Sequence, residues 1–261
     1  MRSLPNALIG FTGFVGSTLL KQTTFTALYR SLNIADISNK DFDTVVCAGA
    51  PAQKWLANKD PDADRQKIDS LIEQLRTIKC KTFILISTVD VFQQPNAVNE
   101  NSPVNTEGLH PYGLNRRRLE QFVEQHFAYY LIVRLPGLVG PGLRKNIIFD
   151  FLNNNNLSVI DCRSVFQFYP MVNLWFDIQL ALKSDLSLIH LTSEPVSVAD
   201  VASKGFGFSF DNKTQGSVVT YDMQSVHSAL FGHQTPYQYS ARETFQAIRH
   251  YAQSERKEKI G

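Results

Sequence analysis

The sequence predicts an α/β protein: a doubly wound parallel sheet with a small C-terminal lobe. Three observations carry that expectation. Short apolar runs alternate along the chain with stretches of helical periodicity. Several of those runs are continuously apolar, as strands covered on both faces are. The first of them, Ala7-Leu8-Ile9, passes through the spaced glycines of Gly10-Phe11-Thr12-Gly13-Phe14-Val15-Gly16 into a helical stretch beginning Ser17-Thr18-Leu19-Leu20.

Composition narrows the class. A chain of 261 residues with 43% hydrophobic and 19% charged residues can bury a full core and is not of disordered type. A net charge of +2 gives no field for nucleic acid, and Arg116-Arg117-Arg118 and Arg256-Lys257 read as solvated helix faces. The three cysteines, Cys47, Cys80 and Cys162, are scattered and odd in number, which suits reduced core residues. The histidines and cysteines show no metal-ligand spacing, so no metal site is expected. The N-terminus lacks the regions of a signal peptide and no apolar run reaches membrane-spanning length. The expected location is therefore the cytoplasm, with neither nucleic acid nor membrane as partner.

Strand, glycine turn and helix in that order make a dinucleotide-binding arrangement of Rossmann type. The first glycine permits the tight turn, the second lets backbone N–H groups approach a pyrophosphate, and the third lets the helix pack close. Gly10, Thr12, Gly13, Phe14, Val15 and Gly16 are thus candidate cofactor contacts. Phe25-Thr26-Ala27-Leu28-Tyr29 reads as the second strand. Arg30-Ser31 follows it, where a carboxylate would select NAD and an arginine suits the 2′-phosphate of NADP. The cofactor is expected to be NADP or NAD, with NADP favoured, although Arg30 also reads as a plain surface arginine.

Asp43-Thr44-Val45-Val46-Cys47-Ala48 is a continuous apolar strand ending in Gly49-Ala50-Pro51. Small residues at Ala48, Gly49 and Ala50 would let a cofactor lie against the backbone; a plain turn is the alternative. A helix bearing Ile68, Leu71, Ile72 and Leu75 comes next, with Asp60, Asp62 and Asp64 suited to its positive N-terminal end. Thr82-Phe83-Ile84-Leu85-Ile86 is another buried strand, and it ends in Ser87-Thr88-Val89-Asp90. Open α/β sheets bind ligands at such strand ends, so Ser87, Thr88 and Asp90 are candidates, with local capping as the other reading. Pro111-Tyr112 opens a further helix that places Tyr112 and Arg116 on one face.

Together these residues resemble the extended short-chain dehydrogenase/reductase family, the NAD-dependent epimerase/dehydratase group. The matching features are Gly-x-x-Gly-x-x-Gly, the Ser87-Thr88-x-x-Val91-Phe92 strand end, Pro111-Tyr112-Gly113 with a basic residue at 116, and Arg134-Leu135-Pro136 leading to Gly140-Pro141-Gly142. Glu194-Pro195-Val196-Ser197-Val198 and Asp222-Met223-Gln224-Ser225 are similar to the family's C-terminal lobe. The resemblance implies a catalytic group of Thr88, Tyr112 and Arg116. It also implies nicotinamide contacts near Pro136 and Gly137, and makes Gln167 and Tyr169 candidate substrate contacts, although that aromatic stretch reads equally as a small core of the second lobe.

The chemistry of that group can be read from the residues. A phenol ionising near 10 is a poor base at neutral pH, and a cation one helical turn away favours its phenolate. Thr88 would hold a substrate hydroxyl or carbonyl oxygen while Tyr112 exchanges its proton. The family carries Lys where this chain has Arg116, and the two cations are not equivalent. The family's 4,6-dehydratases carry Asp-Glu directly after the threonine; Val89-Asp90 here argues against dehydration.

Tyr129-Tyr130-Leu131-Ile132-Val133 reads as the next strand. Arg144-Lys145-Asn146 precedes a helix with Ile147, Ile148, Phe149 and Leu152, and Asn146 is a candidate substrate contact. Asn153-Asn154-Asn155-Asn156 reads as a turn, and Leu157-Ser158-Val159-Ile160 as a short strand. A helix around Leu174, Ile178 and Leu182 and a strand Leu188–Leu191 return the chain to the main body. Asp200 suits a helix start. Ala241–Ala252 reads as the last helix, with Glu255-Arg256-Lys257-Glu258-Lys259 fraying after it.

Residues 1–140 are expected to form the dinucleotide-binding core, and 141–261 mainly a substrate lobe interleaved with it. The function expected is an NAD(P)-dependent oxidoreductase or epimerase acting on a hydroxyl or carbonyl of a sugar-like or nucleotide-sugar-like substrate. The alternative is an NAD(P)-binding sensor or scaffold with little or no catalysis, motivated by Arg116 and by Gly137 where the family often has Asn. A third reading is a homodimer through the two helices that flank the sheet edge, including Tyr112 to Gln125.

Overall fold

Three apolar residues make the first strand, β1 (Ala7–Ile9), which is buried along its whole length. It passes through the glycine turn into α1 (Phe14–Gln22), then β2 (Ala27–Tyr29) and β3 (Asp41–Cys47). Helices α2 (Lys54–Lys59) and α3 (Pro61–Leu75) lead to β4 (Lys79–Thr88), which ends in a 3-10 turn at Val89–Val91. Next come β5 (Asn96–Val98), α4 (Pro111–His126), β6 (Tyr130–Leu135), β7 (Gly137–Val139) and α5 (Ile147–Asn153). The chain continues with β8 (Val165–Phe166), β9 (Phe168–Pro170), α6 (Leu174–Lys183), β10 (Leu188–His190) and β11 (Val196–Ser197). It closes with α7 (Val198–Asp200) and its π-helical continuation to Phe206, β12 (Asp222–Met223) and α8 (Ala241–Ser254). This computed structural model describes residues 4–257; Glu258 and Lys259 of the C-terminal tail lie outside the described residues.

Six strands form one parallel sheet in the order β10-β6-β4-β3-β1-β2, flanked by helices. Ile9 is in register with both Tyr29 and Cys47, so β1, β2 and β3 end level with one another. From β1 the chain goes first to β2 on one side and then to β3 on the other. Strand order therefore reverses at β1, and a crevice outside the carboxyl ends belongs at such a reversal. The middle of the sheet is continuously apolar because both faces are covered: Val45, Val46, Phe83, Ile84 and Val133 are fully buried. Ile68 and Leu75 of α3 and Leu119 and Val123 of α4 complete that core.

The chain divides into two units. The first holds the residues up to Gln93 with Ser102–Arg134 and Trp175–Ile189, and carries nearly all of the six-stranded sheet. The second holds Gln94–Asn101, Leu135–Leu174 and the chain from His190 onward. Its strands pair two by two, as β11–β8, β12–β5 and β7–β9.

Local chemistry explains where several elements begin and where one expected strand does not form. Asp60 caps α3 by accepting from the Ala63 N–H at 3.1 Å, and Pro61 takes its first position. Ser240 and Glu243 form a reciprocal capping box at the start of α8. Ser197, not Asp200, caps α7; Asp200 lies a turn inside and pairs with Lys204 at 2.9 Å. Leu157–Val159 is a 3-10 turn rather than the expected strand. The left-handed residues Asn154 and Asn156 turn the chain there, and the Asn212 side-chain amide takes the carbonyls of Ser158 and Ile160 that a ladder would need. Among the described residues no helix is long and apolar enough to cross a membrane, and no cluster of His, Cys, Asp and Glu could hold a metal ion.

Candidate functional site

The glycine turn is shaped by close contact. Gly10 has φ +83°, and a Cβ there would lie 2.4 Å from the carbonyl oxygen of Ala48. At Gly16 a Cβ would lie 2.2 Å from the carbonyl oxygen of Gly10. The turn is thus held between the end of β3 and the first turn of α1, with no room for a side chain on either side. Gly13 stands at the N-cap of α1, where no side chain caps the helix and no acidic residue occupies the first turn. The leading amides, of Phe14, Val15 and Gly16, carry the positive end of the helix dipole and suit an anion. Thr12 beside them is exposed, and Ala48, Gly49 and Ala50 are half-buried at the end of β3.

Arg30 and Ser31 follow β2 and are both exposed. The Arg30 N–H donates to Asn33 Oδ1 at 2.7 Å, and the guanidinium lies 6.0 Å from the centre of the Phe11 ring. The backbone therefore brings Arg30 to the flank of the glycine turn.

Thr88 ends β4, and α4 begins against it. His110 is the N-cap of α4, its Nδ1 accepting from the Gly113 N–H at 3.0 Å. Gly113 lies so near the Asp90 carbonyl that a Cβ would come within 2.1 Å of its oxygen. That approach brings the Tyr112 phenol to the Thr88 hydroxyl, close enough for the hydroxyl to act on its ionisation. Thr88 Oγ1 also donates to Asp90 Oδ2 at 3.4 Å and accepts from the Asp90 N–H at 3.2 Å. Asp90 Oδ1 is in turn paired with Lys54 Nζ at 2.7 Å. The Tyr112 N–H donates to Asn58 Oδ1 at 3.0 Å, which ties α2 to the start of α4.

The phenol is not acidified as the sequence suggests. Tyr112 is only 7% exposed, and burial raises its pKa. Arg116 pulls it down and Asp90 pushes it up, and the net direction is upward. Desolvation of the phenolate outweighs the neighbouring charge.

Arg116 is itself an internal residue, 3% exposed. Its guanidinium donates to the Asp64 carboxylate and to the Pro51 carbonyl, and lies over the Tyr112 ring at 4.0 Å from the centroid. Asn115 Nδ2 donates to the same carboxylate at 2.8 Å. Asp64, which lies in the first turn of α3 as expected, is therefore also the buried counter-ion of Arg116. Arg116 braces α4 against α3 and against the loop after β3, and it meets the face of Tyr112 rather than its hydroxyl end.

Other expected contacts are committed elsewhere. The Ser87 hydroxyl donates to Glu120 Oε1 at 2.6 Å, inside a buried pair of Glu120 with Arg134 at 2.8 Å. In the second unit, Pro136 precedes β7, where Gly137 is in register with Phe168 of β9. Asn146 caps α5, accepting from the Ile148 N–H at 2.9 Å and donating to the Leu138 carbonyl at 2.8 Å. Gln167 and Tyr169, read either as substrate contacts or as core of the second lobe, are 1% and 0% exposed and belong to the core. The Gln167 amide donates to Thr192 Oγ1 and to the carbonyls of Ser193 and Met223, and accepts from the Met223 N–H. Both are internal pins of the second unit, with no face left for a ligand.

Three residues of this constellation escaped the sequence reading, Lys54, Asn58 and His110, and a fourth, Asp64, was read for its place at a helix start and not for its pairing with Arg116. Only His110 carries a local signal, since it directly precedes a proline at a helix start. Lys54 and Asn58 are one turn apart, but nothing in the sequence says which face of a six-residue helix is used.

No protein-family model matches the sequence, and no curated protein sequence matches it. Solved structures do. A UDP-N-acetylglucosamine 4-epimerase from Methanobrevibacter ruminantium, in complex with UDP-N-acetylmuramic acid, is similar with a TM-score of 0.74 at 15% identity, over 97% of this chain and 98% of that one. A dTDP-4-dehydrorhamnose reductase from Bacillus anthracis in complex with NADP gives 0.72 at 16% identity, over 98% and 99%. A UDP-glucose 4-epimerase from Thermotoga maritima with UDP-glucose gives 0.71 at 15% identity, over 95% and 97%. The chain therefore shares its fold, over nearly its whole length, with sugar-nucleotide epimerases and reductases.

Proposed function

We propose that the chain is an NAD(P)-dependent oxidoreductase or epimerase acting on a hydroxyl or carbonyl carbon of a sugar or nucleotide-sugar-like substrate. The observation that carries this reading is the placing of Tyr112, at the start of α4, beside Thr88 at the carboxyl end of β4, on the sheet edge that also bears the glycine turn. The residues fit a dinucleotide. The uncapped first turn of α1 would hold the pyrophosphate, and the small residues Ala48, Gly49 and Ala50 would let the cofactor lie against the end of β3. Arg30 and Ser31 would meet the ribose and its 2′-phosphate, which favours NADP. When bound, the dinucleotide supplies a hydride donor or acceptor.

Thr88 holds the substrate oxygen in this reading, and Tyr112 exchanges the proton with it. A phenol whose pKa is raised rests protonated, which is the form that donates to a carbonyl oxygen as hydride arrives at its carbon.

The test is Tyr112→Phe. Turnover of UDP- and dTDP-linked sugars, followed by nicotinamide absorbance and product analysis, should fall by at least about 100-fold, with dinucleotide affinity little changed. A second reading, a dinucleotide-binding protein without chemistry, is favoured by the commitment of Arg116 to Asp64 and Pro51. It predicts that the wild type binds the cofactor and turns over nothing in the same panel.

A further inference from the structure

The hydroxyl end of Tyr112 faces a different set of charges from its ring. Arg116 of α4 covers the ring face and is held there by Asp64 of α3. The hydroxyl meets Thr88, and Thr88 meets Asp90 of the 3-10 turn. A carboxylate in that place opposes a phenolate, because two negative charges would share one hydrogen-bonded threonine. Lys54 of α2 closes the chain with its 2.7 Å bond to Asp90. Its placement is not that of a drifting surface lysine. One turn along the same short helix, Asn58 accepts the Tyr112 N–H, so α2 is docked on the start of α4 by one residue and on Asp90 by the other. His110, at the cap of α4, lies within the field of Lys54, Asp90 and Arg116.

We propose that Lys54 is a positioning residue for Tyr112: by neutralising Asp90 it removes the carboxylate's opposition to phenolate formation and fixes the carboxylate that orients the Thr88 hydroxyl. The assignment rests on the reading of Tyr112 given above. It assigns to a residue outside helix α4 a task that the sequence suggested for Arg116 alone. Arg116 remains the stronger of the two cations acting on the phenol and Lys54 the weaker, while burial and Asp90 act against both.

The consequence is a sign pattern that a merely structural lysine would not give. Lys54→Met takes the cation away from Asp90 and should raise the Tyr112 midpoint. Lys54→Met combined with Asp90→Asn removes the opposing charge as well and should return the midpoint to the wild-type value or below. Asp90→Asn alone should lower it, and Lys54→Arg should leave it near wild type.

The measurement is 19F NMR of protein carrying 3-fluorotyrosine, whose phenol ionises lower than tyrosine's, with the Tyr112→Phe spectrum assigning the resonance. The expected upward shift for Lys54→Met is about one pH unit, the size of a close charge effect. An unchanged midpoint in Lys54→Met, or a rise that Asp90→Asn does not reverse, overturns the proposal. Should Lys54→Met fail to fold, Asp90→Asn alone decides, since an unmoved midpoint there also overturns it. The titration needs neither dinucleotide nor turnover. Failure to bind NAD(P) would sink the proposed function and leave this result standing, whereas a failed titration would leave Lys54 a surface charge beside an intact dinucleotide site.

Discussion

Arg116 shows how one side chain can match a sequence pattern and serve a second purpose as well. Its spacing from Tyr112 is that of a catalytic pair, and the structure does put its guanidinium against the ring. Yet its donors go to Asp64 and to Pro51, 52 and 65 residues away along the chain. No local rule reaches that far, which is why the sequence placed Asp64 with its neighbours at the start of a helix. Both partners are buried, so each depends on the other: removing one leaves an uncompensated charge in a medium that solvates it poorly. Asp64→Asn should therefore cost about 3–5 kcal/mol in urea unfolding. Replacing both residues together with Leu and Met should cost clearly less than the single change, because the desolvation penalty of the pair disappears with it. A double variant as unstable as Asp64→Asn would show that Arg116 is held for the backbone carbonyl of Pro51 rather than for its counter-ion.

At the scale of elements, the features that sequence made legible are those whose physics is local. The glycine turn follows from three spaced residues after a strand, and the structure reproduces it down to the contact that excludes a Cβ at Gly16. The start of α4 was legible from Pro111, although the capping atom was not, because histidine caps only in one protonation state. His110 Nδ1 accepts the Gly113 N–H, which requires that nitrogen to be unprotonated. Burial, and then Lys54, lower the pKa of His110 from its ordinary 6.5, with Asp90 opposing. The folded state thus binds fewer protons than the unfolded chain between that lowered value and 6.5. Stability from this group is full above 6.5 and is lost as pH falls through that window. His110→Asn keeps an acceptor at the cap and removes the titration. Between about pH 7.5 and pH 5 the wild type should lose roughly 1 kcal/mol more than His110→Asn, the worth of one N-cap. Parallel pH profiles for the two proteins in urea unfolding would remove His110 from the account.

For the molecule as a whole, the alternation of apolar runs with helical stretches was enough to give the sheet, because strands buried on both faces announce themselves without any partner being known. The second unit was less legible. Its ladders are two strands each, and an amide among aromatics reads alike whether it faces a ligand or, as Gln167 does, backbone groups near residues 193 and 223. What the proposed function predicts for the molecule is a coupling between dinucleotide and stability. A ligand that binds only the folded chain adds about 2.7 kcal/mol at 100 times its dissociation constant. For a chain of this length that is a rise in melting temperature of about 5–10 °C. NADP should give the larger rise at equal concentration, because the exposed Arg30 stands free beside the glycine turn to meet a 2′-phosphate. Arg30→Ala, by removing a charged hydrogen bond, should weaken NADP roughly tenfold. At the same concentration that roughly halves the NADP-induced rise, while leaving the rise with NAD as it was. An equal loss for both nucleotides would show that Arg30 supports the turn rather than reading the phosphate. No rise with either would mean that the amides ahead of α1 serve no pyrophosphate, and the proposed function would fall with them.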